Sequence, residues 1–231
     1  MMGNTLVILK KQWKDTFKNK TVLIQFILFP LMTLVMENVI SMEGMPEHFF
    51  ARLFSVMYVG MAPLTSAAAI IAEEKEKNTL RVLIMANVKP VEYLLGVGSY
   101  LWILCMAGSV VIGTVAGFEG GEFFTYEAVM GLGILLSILL GSSIGIYSEN
   151  QMMATSLSLP VMMVFSFAPM LAQFNEKIAN VAQIFYTQQM SKIFAVMSLN
   201  GMDAKGYVLV CVNVTFFLAL FLIIFKKKGL E

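Results

Sequence analysis

The sequence predicts an all-α integral membrane protein with a single membrane domain over residues 1–231, and three observations carry this prediction. Hydrophobic residues make up 58% of the chain and charged residues 13%, against about 25% charged in soluble domains. Several stretches are long enough for a helix of about 20 residues to cross a bilayer. They are continuously apolar, whereas a membrane β-strand alternates apolar and polar residues. We therefore expect six transmembrane helices, at residues 21–42, 53–72, 91–115, 128–147, 155–173 and 207–225.

Residues 1–20 predict an amphipathic helix at the membrane surface. Four apolar residues recur at helical spacing, with lysines on the other faces: Leu6, Leu9, Trp13 and Phe17. The lysines resemble the start of a signal peptide, but the apolar stretch that follows is too long and lacks a small-residue cleavage site. We expect a retained helix in the membrane interface; a cytoplasmic extension of the first span is the alternative.

The positions of Lys and Arg predict the orientation, because positively charged loops stay in the cytoplasm. With the N-terminus inside, twelve of the 16 basic residues lie on the inner side. The other four are Arg52, Lys177, Lys192 and Lys205. We therefore expect a multi-pass protein of the cell membrane with both termini cytoplasmic.

The segment between the second and third spans predicts a break between two helices. Residues 73–77 form a charged extension of the second span. Asn78 and Thr79 are expected to end that extension and start a new helix, because Asn tolerates the left-handed backbone conformation and Thr caps helix N-termini. The chain thus turns at this point, on the cytoplasmic side.

The helix expected after this break is short and amphipathic. Leu80, Leu83 and Ile84 share one face, and Pro90 is expected to stop the helix. Because lipid does not cover that face, the pattern favours contact with another protein. An amphipathic loop helix lying on the inner leaflet is the alternative.

This segment resembles the hallmark of the type-2 ABC transporter permeases, approximately E-+-E-+-G-T-L-x-x-L-L-x-x-P-V-x-x-x-E-x-L-L-G. The chain departs from it at Asn78, where the family usually has Gly, and at Asn87, where it often has Pro. Asn keeps the backbone freedom that Gly supplies at the first position. The interfacial helix, the six spans and the long connection before the last span extend the resemblance over nearly the whole chain. The matching residues are Glu74, Glu76, Thr79, Leu80, Leu83, Val88, Glu92, Leu94, Leu95 and Gly96.

The resemblance implies that residues 78–89 are a coupling helix, docked on a separate cytoplasmic ATPase. Force would pass through the helix ends at Glu74, Glu76 and Glu92. Two permease chains, identical or different, would pair above two ATPase subunits that bind ATP and Mg²⁺, while this chain would hold no cofactor. The implied function is export of an amphipathic or hydrophobic compound, such as a peptide, antimicrobial or drug, from a bacterial cell. The implied docking residues are Thr79, Leu80, Arg81, Leu83, Ile84 and Asn87.

The chain is not expected to be an enzyme or to supply its own energy. None of its 17 glycines is followed by lysine, so the GK pair of a phosphate-binding Walker loop is missing. Charges lie towards the span ends, which disfavours an ion-coupled transporter or channel; this remains the alternative function. A membrane enzyme would need clustered catalytic groups, and no basic patch indicates nucleic acid.

The one histidine and the two cysteines of the chain do not indicate a metal site or a disulfide. His48 has no second ligand nearby in the sequence. Cys105 and Cys211 lie inside apolar stretches, where neither metal binding nor a disulfide framework is expected.

A stripe of small residues in the fourth span predicts close helix packing. Packing within the chain and a seam between two chains are both compatible with it. The stripe comprises Gly133, Ser137, Gly141 and Gly145.

The fifth span and the connection after it offer weaker signals. Adaptable side chains at Met162, Met163, Phe165 and Met170 suit a hydrophobic substrate path, but generic apolar filling of a helix explains them too. Residues 174–206 mix apolar and polar residues, which favours short helices that dip into the outer leaflet.

Overall fold

The structure is a computed structural model that describes residues 2–18, 20–40, 46–198 and 202–228. Within these ranges the chain forms helices joined by turns, as the all-α prediction requires. The helices are α1 (Met2–Lys18), α2 (Lys20–Val39), α3 (Phe49–Glu76), α4 (Thr79–Met85), α5 (Pro90–Val115), α6 (Gly120–Tyr147), α7 (Gln151–Ala172), α8 (Glu176–Ala182), α9 (Tyr186–Val196) and α10 (Ala204–Lys228).

Five of the described helices are long and apolar enough to cross a membrane: α3, α5, α6, α7 and α10. The protein is therefore an α-helical, multi-pass membrane protein. The remaining predicted span, residues 21–42, falls on α2, whose apolar part Leu23–Val39 is shorter, and residues 41–45 lie outside the described ranges. Other helices extend beyond the predicted spans: α3 continues to Glu76, and α6 already begins at Gly120.

α2 runs antiparallel along α3. Near one end of the bundle, the side-chain amide of Gln25 donates to the hydroxyl of Ser66 at 2.6 Å. Near the other end, the carboxylate of Glu37 accepts the N–H of Ala51 at 3.1 Å. α2 thus follows α3 for much of its length.

The contact between α3 and α6 forms the centre of the bundle. α3 packs against α6 and α7 and also contacts α2 and α5, and α10 packs on α6. Most of α3 and α6 is buried, whereas only a small part of α7 and of α10 is buried. Exposed apolar helices of this kind face lipid or another membrane helix.

The small residues of α6 are used inside this chain. A Cβ added to Gly141 or Gly145 would collide with a carbonyl oxygen of α3. A Cβ added to Gly133 would collide with the side chain of Met190 in α9. Ser137 donates its hydroxyl to an α3 carbonyl at 2.6 Å. These four residues thus pack within the chain.

α1 lies against α5 and presents a second apolar side outward. Ile8 packs onto Gly96 so closely that a Cβ added to Gly96 would lie 2.8 Å from the Ile8 side chain. The rings of Trp13 and Tyr100 meet edge-on, with their centroids 5.9 Å apart. Leu6 remains 60% exposed. The outward apolar residues of α1 suit contact with lipid.

α1 and the last turn of α10 both lie at the end of the bundle that carries α4, which we call the α4 end. Lys11 contacts Glu74 at the end of α3, and Lys228 lies over the ring of Tyr147, 5.1 Å from its centroid. The prediction that both termini face the cytoplasm requires such an arrangement.

The connection before α10 contains two short helices, and its residues 199–201 lie outside the described ranges. α9 packs against α3, α6, α7 and α10. The hydroxyl of Tyr186 lies 2.6 Å from that of Ser137, and the ring of Phe194 packs on Tyr126 at 5.2 Å. α9 is therefore a packed part of the bundle rather than a loose loop.

Candidate functional site

The candidate site is the α3–α4 junction, which comprises residues 73–79 together with α4. Asn78 has a φ of 56°, and its N–H donates to the carbonyl of Lys75 at 3.0 Å. The chain turns there because Asn adopts this left-handed conformation more readily than most residues. The break predicted at Asn78 is thus confirmed.

The end of α4 differs from the prediction. The helix stops at Met85, and Asn87 takes the left-handed conformation with a φ of 64°. The N–H of Val88 donates back to the carbonyl of Leu83 at 3.1 Å, which is the closing bond of a Schellman motif. The prediction that Pro90 ends the helix is wrong, because Pro90 is the first residue of α5.

Glu74 joins three elements at the junction. Glu74 is 7% exposed. Its carboxylate accepts hydrogen bonds from Lys11 at 2.6 Å and Gln12 at 2.8 Å. Its carbonyl accepts the hydroxyl of Thr79 at 3.0 Å, so Thr79 closes the end of α3 and does not cap α4 as predicted. The hydroxyl of Tyr93 from α5 lies beside the same carboxylate.

The next two residues connect the junction to α6 and α7. The ammonium of Lys75 donates to the carbonyl of Ile146 at 2.7 Å, which satisfies an orphan carbonyl at the end of α6. The carboxylate of Glu76 accepts the N–H of Gln151 at 2.9 Å, at the start of α7. A carboxylate is favourable at this positive helix end. The last turn of α3 is therefore bonded to α1, α6 and α7.

Glu92 stabilises the start of α5. It is almost fully buried, and its carboxylate accepts the N–H of Lys89 at 3.2 Å. Its carbonyl accepts the hydroxyl of Thr5 in α1 at 3.4 Å. Glu74 and Glu92 thus both attach α1 to the helices that flank α4.

The structure divides the predicted docking residues between two faces of α4. Leu80 is 2% exposed, and Leu83 packs partly against the core, so both stabilise the fold. Arg81 and Asn87 are exposed, while the side chain of Ile84 lies outside the described part. Leu80 is therefore not available to a partner, contrary to the implied docking surface.

The outward face of α4 carries two apolar residues that the sequence analysis did not select. Val82 is 64% exposed and Met85 is 81% exposed. We define the α4 surface as Arg81, Val82, Met85, Ala86 and Asn87, all of which are exposed. The signal was present in the sequence, since α4 is apolar at most positions, but spacing alone did not distinguish its two faces.

No known protein-family model and no curated protein matches this chain. Family membership therefore stays an interpretation of the residues at the junction.

The methionines and phenylalanine of the predicted substrate path do not form one surface. Phe165 stacks on the buried Tyr186 at 5.3 Å and packs within the bundle. Met163 points outward and is 56% exposed, whereas Met162 is partly buried. Met170 lines a cavity at the end of the bundle opposite α4.

The described residues hold no group of three or more His, Cys, Asp or Glu side chains arranged for a metal ion. The Nδ1 atom of His48 lies 3.6 Å from the carboxylate of Glu37.

Proposed function

We propose that this chain is the membrane-spanning permease subunit of an ATP-driven exporter of the type-2 ABC class, in which a separate ATPase acts on α4. The observation that carries the proposal is the exposed α4 surface on an anchored turn. Val82 and Met85 are apolar and largely exposed, and α4 stands between two long helices at the same end as α1. An exposed apolar surface rimmed by polar residues is typical of a protein contact.

The bonds at the junction explain how movement of α4 would reach the membrane helices. Thr79 links α4 to the end of α3, and the neighbouring residues Glu74, Lys75 and Glu76 link that end to α1, α6 and α7. A partner that pushes α4 would thus displace several helices together, because their ends share one turn of α3. This is the property that a coupling element needs.

The remaining parts of the proposal follow from the resemblance. Two permease chains would form the transport path, and two ATPase subunits would bind ATP and Mg²⁺. The cargo would be an amphipathic or hydrophobic compound that leaves a bacterial cell through its cell membrane. Both termini and α4 would face the cytoplasm.

The test is purification of the tagged full-length chain from its native membranes in mild detergent, with identification of co-purified proteins by mass spectrometry. We expect an ATPase with a Walker loop. Met85→Asp should lower its recovery at least about tenfold, because a carboxylate would be buried in an apolar contact. ATP-driven uptake of dye by inverted vesicles should fall in parallel.

Val181→Asp is the matched control, since Val181 is a 61% exposed valine in α8, at the opposite end. It should leave the recovery of the ATPase unchanged. Equal recovery with both variants would reject α4 as the contact. Absence of any ATPase with the unaltered chain would reject the exporter itself.

A further inference from the structure

A cavity of about 240 Å³ lies at the end of the bundle opposite α4. The first turn of α3, the end of α7 and the helix α9 form its walls. Two cationic side chains line it, Arg52 from α3 and Lys192 from α9. We call it the basic cavity.

The guanidinium of Arg52 keeps unused donors. One of its terminal nitrogens donates to the carbonyl of Ala195 at 3.3 Å, which holds the side chain against the end of α9. Its Nε atom is buried and has no hydrogen-bond partner. A buried N–H without an acceptor is unfavourable, so a hydrogen-bond acceptor beside this atom would stabilise the site.

Lys192 adds a second positive charge without a counter-ion. No hydrogen bond or ion pair joins it to another described residue, and the described residues that line the cavity include no carboxylate. Two cations that face one cavity repel each other unless an anion lies between them. An anionic group there would satisfy both.

The other walls define what such an anion is attached to. Gln173 and Ser191 add polar groups beside the cations, while Phe49, Leu53 and Met170 form an apolar wall. A free inorganic ion would use the polar part alone. A head group that carries a hydrocarbon chain would use both parts.

From this arrangement we propose that the basic cavity binds the anionic head group, a phosphate or carboxylate, of an amphiphile. The planar guanidinium of Arg52 suits bidentate contact with either group, and Lys192 supplies the second charge. The amphiphile is a membrane lipid or a free single-chain compound. This site does not depend on an ATPase partner.

The test uses the full-length protein in dodecyl maltoside, a neutral detergent, titrated with dodecyl phosphate by calorimetry. A second arm uses nanodiscs of phosphatidylcholine with and without phosphatidylglycerol, with bound lipid counted by native mass spectrometry. Saturable binding of dodecyl phosphate supports a free amphiphile as ligand, and retention of phosphatidylglycerol supports a lipid. Either result agrees with the proposal.

Lys192→Gln and Arg52→Gln should each weaken binding about tenfold, because each removes a charge-assisted contact. Lys192 is the safer variant, since it makes no hydrogen bond or ion pair with another described residue, and thermal unfolding checks both. Lys205→Gln is the control, because it removes an exposed lysine near the same end of the bundle. It should bind as the unaltered protein does.

Three results would overturn the proposal. The first is the absence of saturable binding in both arms. The second is equal binding by Lys192→Gln, Arg52→Gln and the Lys205→Gln control. The third is an affinity for inorganic phosphate equal to that for dodecyl phosphate, because the apolar wall would then contribute nothing to binding.

Discussion

At Gly141, the distance between two helices depends on a single missing side chain. A Cβ at this position would overlap the carbonyl oxygen of Leu64 in α3. Because this oxygen belongs to the backbone, α3 as a whole would have to move to relieve the overlap. Gly141→Ala should therefore lower the free energy of unfolding by about 1–3 kcal/mol. Thermal unfolding in detergent should shift downward by about 2–4 °C for each kcal/mol.

Gly131→Ala provides the comparison within the same helix. The nearest atom to its Cβ position is in the ring of Trp102 at 3.4 Å, an ordinary contact. Because Ala also favours helix by up to about 1 kcal/mol over Gly, this variant should unfold at the same or a higher temperature. Equal destabilisation of both variants would contradict the packing of α6 on α3 at Gly141.

At the scale of elements, a partly buried ion pair contributes to the attachment of α1 to the junction, beside the bonds of Gln12 and Thr5. Lys11→Met removes the cation beside the Glu74 carboxylate, and the Glu74 side chain is only 10% exposed to water. Because the Lys11 side chain is 37% exposed, we expect a loss of about 1–2 kcal/mol rather than that of a fully buried pair. Hydrogen exchange measured by mass spectrometry should show faster exchange in α1.

Lys10→Met is the control for this substitution, since Lys10 is an exposed lysine of the same helix. It should leave exchange in α1 unchanged. The double variant Lys11→Met/Glu74→Gln should recover part of the loss, because no unpaired carboxylate remains. If Lys10→Met had the same effect as Lys11→Met, the pair would not be what holds α1.

The sequence predicted those elements whose cause is local. Continuous apolar stretches predicted the long helices, and Asn78 predicted the turn because its own backbone preference produces it. The inward face of α4 was harder to separate from the outward face, because five of the seven residues TLRVLIM are apolar. Only tertiary packing decides that Leu80 is buried while Met85 is exposed.

Contacts between distant residues could not be predicted in this way. Lys11 and Glu74 are 63 positions apart, and neither shows in sequence that it has a partner. Arg52 and Lys192 come together only because α9 folds back into the bundle beside α3. Their charges were predicted to lie near a membrane surface, but the cavity between them depends on tertiary packing.

The whole molecule has two chemically different ends. The α4 end gathers α1, the last turn of α10, the bonded turn of α3 and the exposed α4 surface. The opposite end carries α8, α9 and the basic cavity. An exporter of amphiphiles would need such a division, with energy input at one end and contact with the cargo or lipid at the other.

Labelling of introduced cysteines tests whether these two ends lie on opposite sides of the membrane. Asn87→Cys and Lys177→Cys place exposed thiols at the α4 end and in α8, in a Cys211→Ser background that leaves only the buried Cys105. Because most Lys and Arg residues lie at the α4 end, a membrane-impermeant maleimide should label intact cells at Lys177→Cys alone. Asn87→Cys should react only after permeabilisation. Labelling of Asn87→Cys in intact cells would place α4 outside, where no cytoplasmic ATPase reaches it.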